Sequence, residues 1–418
     1  LLSATGVTQQ AMMQRMNGSA EFSVSAPIRR VGFARLARVL AAVSLLLAGW
    51  RGACQAETRY VLHALPEVEG QTDALALGVN NAGQVVGYVR DAQGQSHAVR
   101  WDQAGVTRLA EPSAEASYSQ AYRLNEAGQI VGKVRSENGD FHAALWENGS
   151  LTDLGTLHGS GSSFAMDIND QGVVAGFSDG DLGGHAITWS REQGFRDYGN
   201  TDPPHRLAMA GFNGINNNGL MVGTSYFLLS PFRAAFARQG DKSLSDLSPA
   251  GRQTLGMALA VNDAGTIVGY HGADGAAPQA AIFQESGRID LLGTLGLEES
   301  WAQDVNQLGT IVGRAFSFGV GGQLIPKAFA YEEGTMYDLL ERSNNAESWT
   351  LIEASGVNDR GVIVGSGLWD GKPRAFMAVP VPEPSTGLLL ASGALGFVAW
   401  RRQAARRNNA PLTLALPR

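Results

Sequence analysis

Cysteine is almost missing from this chain. Cys54 is the single one in 418 residues, so no disulfide can form within it. Charge is sparse as well, at 17% Asp, Glu, Lys and Arg. The alanine, leucine, glutamate and lysine enrichment of a helical solenoid is also wanting, which argues against stacked helices. No apolar run reaches the ~20 residues of a full helical membrane crossing; the two longest lie near the ends. The formal charge of −7 is unevenly spread. Residues 1–56 carry six Arg against Glu21 alone, and residues 386–418 carry five Arg and no acid. Without these ends, 21 basic residues face 38 acidic ones, a net of −17 for the middle. A body so acidic repels nucleic acid and anionic lipid, and neither is expected as a partner.

Glycine is abundant, with 53 residues, and it recurs in register. Asn-x-x-Gly, an apolar pair and a second Gly appear first at Asn80 to Gly87, then from Asn125, Asn169, Asn216, Asn262, Asn306 and Asn358. The intervals are 45, 44, 47, 46, 44 and 52 residues. A unit of this length that cannot bury its own apolar face must stack on its neighbours. Within the second unit, short apolar stretches at Ala121 to Leu124, Gln129 to Lys133, His142 to Trp146 and Ser150 to Leu154 are separated by turn residues. They are too short for helices and read as four strands. Gly83, Gly128, Gly172, Gly219, Gly265, Gly309 and Gly361 stand where a hairpin turn between the first two strands needs positive φ, a structural role. The trailing glycines, such as Gly87, Gly132 and Gly176, predict close approach of another backbone.

Four strands per repeat is the pattern of a propeller blade. The seventh unit runs out after Arg374 to Val379 without a fourth strand, while an orphan strand, Tyr60 to Leu65, precedes the first unit. The expectation is therefore an all-β chain: a seven-bladed β-propeller of four-stranded blades over 57–380, closed by its N-terminal strand.

Both ends read as addresses. Arg29, Arg30, Arg35 and Arg38 precede the apolar stretch Val39 to Trp50 and then Ala53-Cys54-Gln55-Ala56. A basic flank, an apolar core and small residues before a polar start make a secretory signal peptide at about 29–56 within a leader of 1–56, with cleavage expected between Ala56 and Glu57. At the other end, Val381-Pro382-Glu383-Pro384-Ser385 is followed by an apolar segment, Thr386 to Trp400, and by Arg401 and Arg402. Fifteen residues of helix span only ~22 Å, so the arginines would snorkel to the interface.

These tail residues resemble the PEP-CTERM sorting signal of Gram-negative bacteria, with Pro382, Glu383 and Pro384 as the recognised tripeptide, a short transmembrane sorting helix, and a basic tail within 381–418. The resemblance implies recognition by an exosortase and association with exopolysaccharide and biofilm matrix. Within the repeats, His97 to Trp101, His142 to Trp146 and His185 to Trp189, together with Leu151 to Leu157, resemble the HAF repeat, a family of predicted extracellular repeats. That resemblance implies an extracellular place and no established chemistry.

The candidate chemistry is thin. His97, His142 and His185 share one repeat position, which elsewhere holds Arg233, Gln279, Lys327 and Arg374; no metal ligand or general base survives such exchanges. Gly176 to Gly180 has the Gly-x-Ser-x-Gly form, yet no helix pattern follows Ser178 to build a nucleophile elbow. Asp167 to Gly172 lacks the bidentate acid of a calcium loop. Longer connections at Asn200 to Ala208, Phe316 to Ile325 and Leu340 to Trp349 offer places for a ligand, and Trp301, Trp349 and Trp369 are candidates for stacking on sugar. No catalytic or metal residue and no cofactor is expected. The reading is a non-enzymatic, exported module of the cell surface or matrix, with signal peptidase and exosortase as processing partners and exopolysaccharide or another surface protein as ligand. The alternative is an exported lyase or glycosidase acting on polysaccharide.

Overall fold

Seven turns of one kind hold the molecule together. A computed structural model describes residues 58–381 apart from 114–116, 181–182, 200–207, 228–231, 248–253 and 274, all in the second of the two units into which the chain divides, Glu57–Arg418. The leader, its cleavage point Ala56 and Glu57, and the tail from Pro382 lie outside the described residues.

The described residues contain 28 strands and no helix, in a β-propeller arrangement. Sheet I covers 71–108, sheet II 119–155, sheet III 163–246, sheet IV 254–293 and sheet V 299–338. Sheet VI joins Trp349–Val357, Ile363–Trp369 and Lys372–Pro380 to the first strand, Tyr60–Ala64. The expectation of seven separate four-stranded blades is corrected here. Five sheets are four-stranded blades, rather than seven, and the remaining eight strands form one continuous sheet, III. Its halves are joined by a short parallel pairing of Gly183 with Ala208 and Gly184 with Met209. Two glycines without Cβ atoms expose bare backbone to the neighbouring strand, and an added Cβ at Gly184 would collide with the Phe177 ring.

The orphan strand does close the array. Tyr60 to Ala64 pairs antiparallel with Pro380 to Phe376, and Tyr60 and Leu62 are buried. Asn345, in the long connection before Trp349, holds both the N–H and the carbonyl of Leu62 at 2.8 Å. Sheet VI then packs on sheet I, since Val364 and Ala375 share a core with Ala76, Val85, Val99 and Trp101. The same alternation of small and branched residues fills the other junctions, as with Val86 and Ala98 of sheet I against Ala121, Ile130 and Trp146 of sheet II.

The turns add a closed polar ring. In each, the asparagine side chain accepts an N–H four residues on, at 2.9 to 3.0 Å. Its Nδ2 donates to the backbone carbonyl of the next asparagine in the series, at 2.9 to 3.2 Å, from Asn80 through Asn125, Asn169, Asn216, Asn262, Asn306 and Asn358 and back to Asn80. All seven are buried. A second ring runs beside it: the backbone N–H of the following residue donates to the side-chain oxygen of its counterpart in the next turn, from Asn81 to Glu126 and round to Asp359 and Asn81, at 2.7 to 3.0 Å. The fourth residue of every turn is glycine at φ between 74° and 84°, the left-handed region open to a residue without Cβ.

Cutting one link is costly because its partners stay buried. Asn216→Ala strands the N–H of Leu220, while the carbonyl of Asn262 keeps the N–H of Gly265, so the expected loss is that of one buried unsatisfied group, ~1–3 kcal/mol, read as a lower denaturant midpoint with unchanged slope.

Candidate functional site

Every repeat bends its innermost strand at the same place. A β-bulge falls between the alanine or phenylalanine four residues before the turn asparagine and the residue two before it: Ala76/Gly78, Ala121/Arg123, Ala165/Asp167, Phe212/Gly214, Ala258/Ala260, Ala302/Asp304 and Ala354/Gly356. A bulge re-aims side chains, here toward the middle of the ring. The second member of each pair is small except at three positions, Arg123, Asp167 and Asp304, where charge breaks the symmetry.

Arg123 reaches across the ring. Its guanidinium donates to the carbonyl of Leu77 in sheet I and, at 3.4 Å, to that of Gln303 in sheet V. Asp167 accepts the N–H of Ile168 at 2.9 Å and of Ile215 at 2.8 Å; Asp304 accepts those of Val305 at 3.0 Å and Val357 at 2.9 Å. Each carboxylate thus ties its own repeat to the next. Both residues are half-buried by surface, yet burial among the surrounding protein is the largest influence on their carboxyls. That burial pushes the Asp167 carboxyl up to about 6 against the pull of Arg123 and the two N–H donors. Asp304 is raised for the same reason, and so is Glu353, which pairs with Arg314 at 3.4 Å.

The sign of the pH effect follows. A carboxyl whose folded value lies above its unfolded one holds extra protons in the folded state between pH ~4 and about 6, so stability falls as pH rises through that window. Asp167→Asn lacks this slope. In parallel melts the wild type should lose ground to the variant between pH ~4 and ~6, with a constant difference above.

The residues singled out in the sequence are accounted for by packing. His142 donates to Asp153 on the adjoining strand at 2.9 Å, His185 pairs with Asp197 at 3.0 Å, and His97 lies between Asp91 and Glu111. The same position pairs Arg233 with Asp246, Lys327 with Asp338 and Arg374 with Glu67. It is a cross-strand cation and acid position, which explains why His, Arg and Lys interchange there. Among the described residues no cluster of His, Cys, Asp and Glu fit to hold a metal is present. Ser178 is buried, accepts the N–H of Leu157 and donates to the carbonyl of Asp179, with no helix after it. Of the three tryptophans, Trp349 is buried beneath Trp369, with ring centroids 6.0 Å apart, and Trp301 stacks on Tyr270 at 4.8 Å. The connection at 316–325 is a hairpin with exposed Phe318 and Val320, whereas 200–207 lies outside the described residues. A cavity of about 450 Å³ near the asparagine turns lies mainly between the two halves of sheet III, with Trp189 and Arg196 from the first, Met221 and Gln239 from the second, and Gln129 of sheet II at its side; it contains no opposed pair of carboxylates.

Arg123, Asp167 and Asp304 escaped the sequence reading as a group. They stand out only when the repeats are aligned on the turn asparagine and the column two residues upstream is read down: Gly, Arg, Asp, Gly, Ala, Asp, Gly.

The decisive likeness lies outside the ring. Residues 380–403 match the PEP-CTERM protein-sorting motif. The sorting motif contains Pro382, Glu383, Pro384, Arg401 and Arg402, and it implies processing by an exosortase, export, and membrane-associated sorting in a Gram-negative bacterium. The HAF resemblance of the repeats gains no support from the families matched. None of the curated proteins compared matches the chain. Among the described residues no helix is long and apolar enough to cross a membrane; the expected sorting helix falls outside them.

Solved structures similar to the chain include a puromycin-hydrolyzing peptidase of Mycobacterium tuberculosis, at 12% identity, TM-score 0.45, 75% of this chain and 50% of that one. The chain spans half the length of that peptidase. A putative TolB from Agrobacterium tumefaciens follows at 9% identity, TM-score 0.40, 78% of this chain and 100% of that one, and the Aleuria aurantia lectin at 11%, 0.35, 67% and 96%. Likeness at these scores carries no argument about what this chain does.

Proposed function

We propose that the chain is a non-enzymatic binding or scaffold module of the cell surface or extracellular matrix, sorted there by an exosortase and associated with exopolysaccharide. The observation that supports it most is the state of the charges in the centre of the ring. Asp167 and Asp304 spend their oxygens on backbone N–H groups of adjoining repeats, and Arg123 spends its donors on carbonyls. A general acid and base need free carboxyls facing a substrate, and glycosidases need two of them ~5–10 Å apart across a cleft. Charges tied this way brace a scaffold instead.

Incubation of the purified protein with the producer's exopolysaccharide tests the reading. Retention of the polymer at unchanged chain length is the expected result, and new reducing ends or unsaturated termini would overturn it. Replacing Pro382, Glu383 and Pro384 by alanine in the native host should leave the protein in the membrane fraction, unprocessed, as shown by the mass of its C-terminal peptide.

A further inference from the structure

We infer that the face of the ring opposite the asparagine turns carries, at the junction of sheets II and III, a binding site for carboxylated sugar units of an acidic polysaccharide. This rests on the surface-binding function proposed above and names its ligand class. The site consists of Lys133 and Arg135 with Tyr118, Phe141, Phe164 and Phe177. Register places it: Ile130 pairs beside the turn, and Val134 and Arg135 lie at the far end of the same strand, next to Tyr118 and Phe141.

The aromatic rings run in a row. Tyr118 and Phe141 are 5.1 Å apart, Phe141 and Phe164 6.4 Å, and Phe164 and Phe177 5.7 Å between centroids, all half-buried and so partly open to solvent. Lys133 Nζ lies 4.6 Å from the Phe141 centroid and 5.0 Å from that of Phe164; the Arg135 guanidinium lies 5.4 Å from Phe141 and 5.5 Å from Tyr118. Burial lowers the affinity of Lys133 for its proton, in keeping with an ammonium short of counter-charge.

The other repeats act as an internal control. Arg90 holds in sheet I the place of Arg135, opposite Asp73, and the two form an ion pair at 2.6 Å. Arg314 holds in sheet V the place of Lys133, and it pairs across to Glu353 of the next sheet. Around the cations of sheet II both acids are replaced by aromatic residues: Tyr118 of the same sheet stands where Asp73 does, and Phe164 of sheet III stands where Glu353 does. Half-buried Arg90, Arg100, Arg233, Arg314, Lys327 and Arg374 have carboxylate partners, and Arg123 and Arg196 donate to backbone carbonyls; among the described residues the Lys133 ammonium and the Arg135 guanidinium meet only rings. A ligand that brings its own carboxylate supplies the missing charge, and the apolar face of a pyranose ring matches the row of aromatic side chains. Within a body of net −17, this is where an acidic polymer meets positive charge that no described carboxylate pairs.

The test uses the full chain, polygalacturonate, and the same polymer with its carboxyls reduced to alcohols, measured by titration calorimetry. Tyr118→Asp with Phe164→Glu installs the acids that the fold already accommodates at the equivalent places, so folding is expected to survive, and an unchanged melting temperature checks it. The wild type should bind polygalacturonate, and both carboxyl reduction and the double variant should weaken binding roughly tenfold or more, with affinity falling as salt rises. Equal binding of the reduced polymer, or of the double variant, would overturn this site while leaving surface binding standing. Failure to bind either polymer, together with failure to retain the producer's exopolysaccharide, would remove both. Should the double variant not fold, Lys133→Gln in its place must show the same loss.

Discussion

Gly269→Ala should leave the protein unable to fold at ambient temperature. Gly269 lies in the second strand of sheet IV at ordinary extended backbone, so no conformational rule reserves the position for glycine. What reserves it is the bulge on the strand beside it, which turns the carbonyl of Met257 inward until it occupies the space a Cβ would need. The clash is with backbone on both sides, held by the ladder, and no rotamer relieves it. Six further glycines meet the same obstacle: Gly87, Gly132, Gly176, Gly223, Gly313 and Gly365. Overpacking of this kind, without a yielding side chain, belongs to the upper tail of mutational effects, ~4 kcal/mol or more. The control is four residues away. Gly265 has φ of 81° with open space around it, so Gly265→Ala should cost only the ~1–2 kcal/mol of a left-handed residue. Circular dichroism melts of the two variants side by side check this; a Gly269→Ala protein melting within a few degrees of the Gly265→Ala one would refute the steric account.

Deleting residues 58–65 should make the protein self-associate beyond whatever state the intact chain shows. The deletion removes buried Tyr60, Leu62 and Leu65, each contributing ~1.5–3 kcal/mol, and the five-residue pairing with Phe376 to Pro380. It also uncovers the edge of Lys372–Pro380, nine residues whose apolar members pack into the core. Sedimentation should show concentration-dependent association and an earlier melt. A synthetic peptide of residues 57–66, added in excess, should restore the sedimentation of the intact chain, which would not happen if the deletion acted by general misfolding.

The fold was largely legible because the signals that build it are local and repeated. Asn-x-x-Gly marks each hairpin, the trailing glycine marks each bulge partner, and the displaced strand at Tyr60 announces its own missing partner. What stayed hidden depends on contacts without periodicity. The joining of two four-stranded groups into sheet III rests on Gly183 and Gly184 meeting a strand that begins 25 residues later, at Ala208. Arg123 donates to Gln303, 180 residues away, and no pattern in either neighbourhood hints at it. The interchange of His, Arg and Lys at the edge position was visible, but the acid facing each of them was not. The cations of sheet II are conspicuous only beside their counterparts in sheets I and V, a comparison that needs the register of paired strands.

The way the first strand closes the ring also settles how tension is received. Chain leaves the ring at Val381, directly after Lys372–Pro380, and that strand has a neighbour on either side, Tyr60–Ala64 and Ile363–Trp369. Ladder bonds run crosswise to the strands, so a tug on the exit must slide the strand past two neighbours at once, loading many bonds together in shear. Had the last strand been left at an outer border, the same tug would have peeled it away one rung at a time.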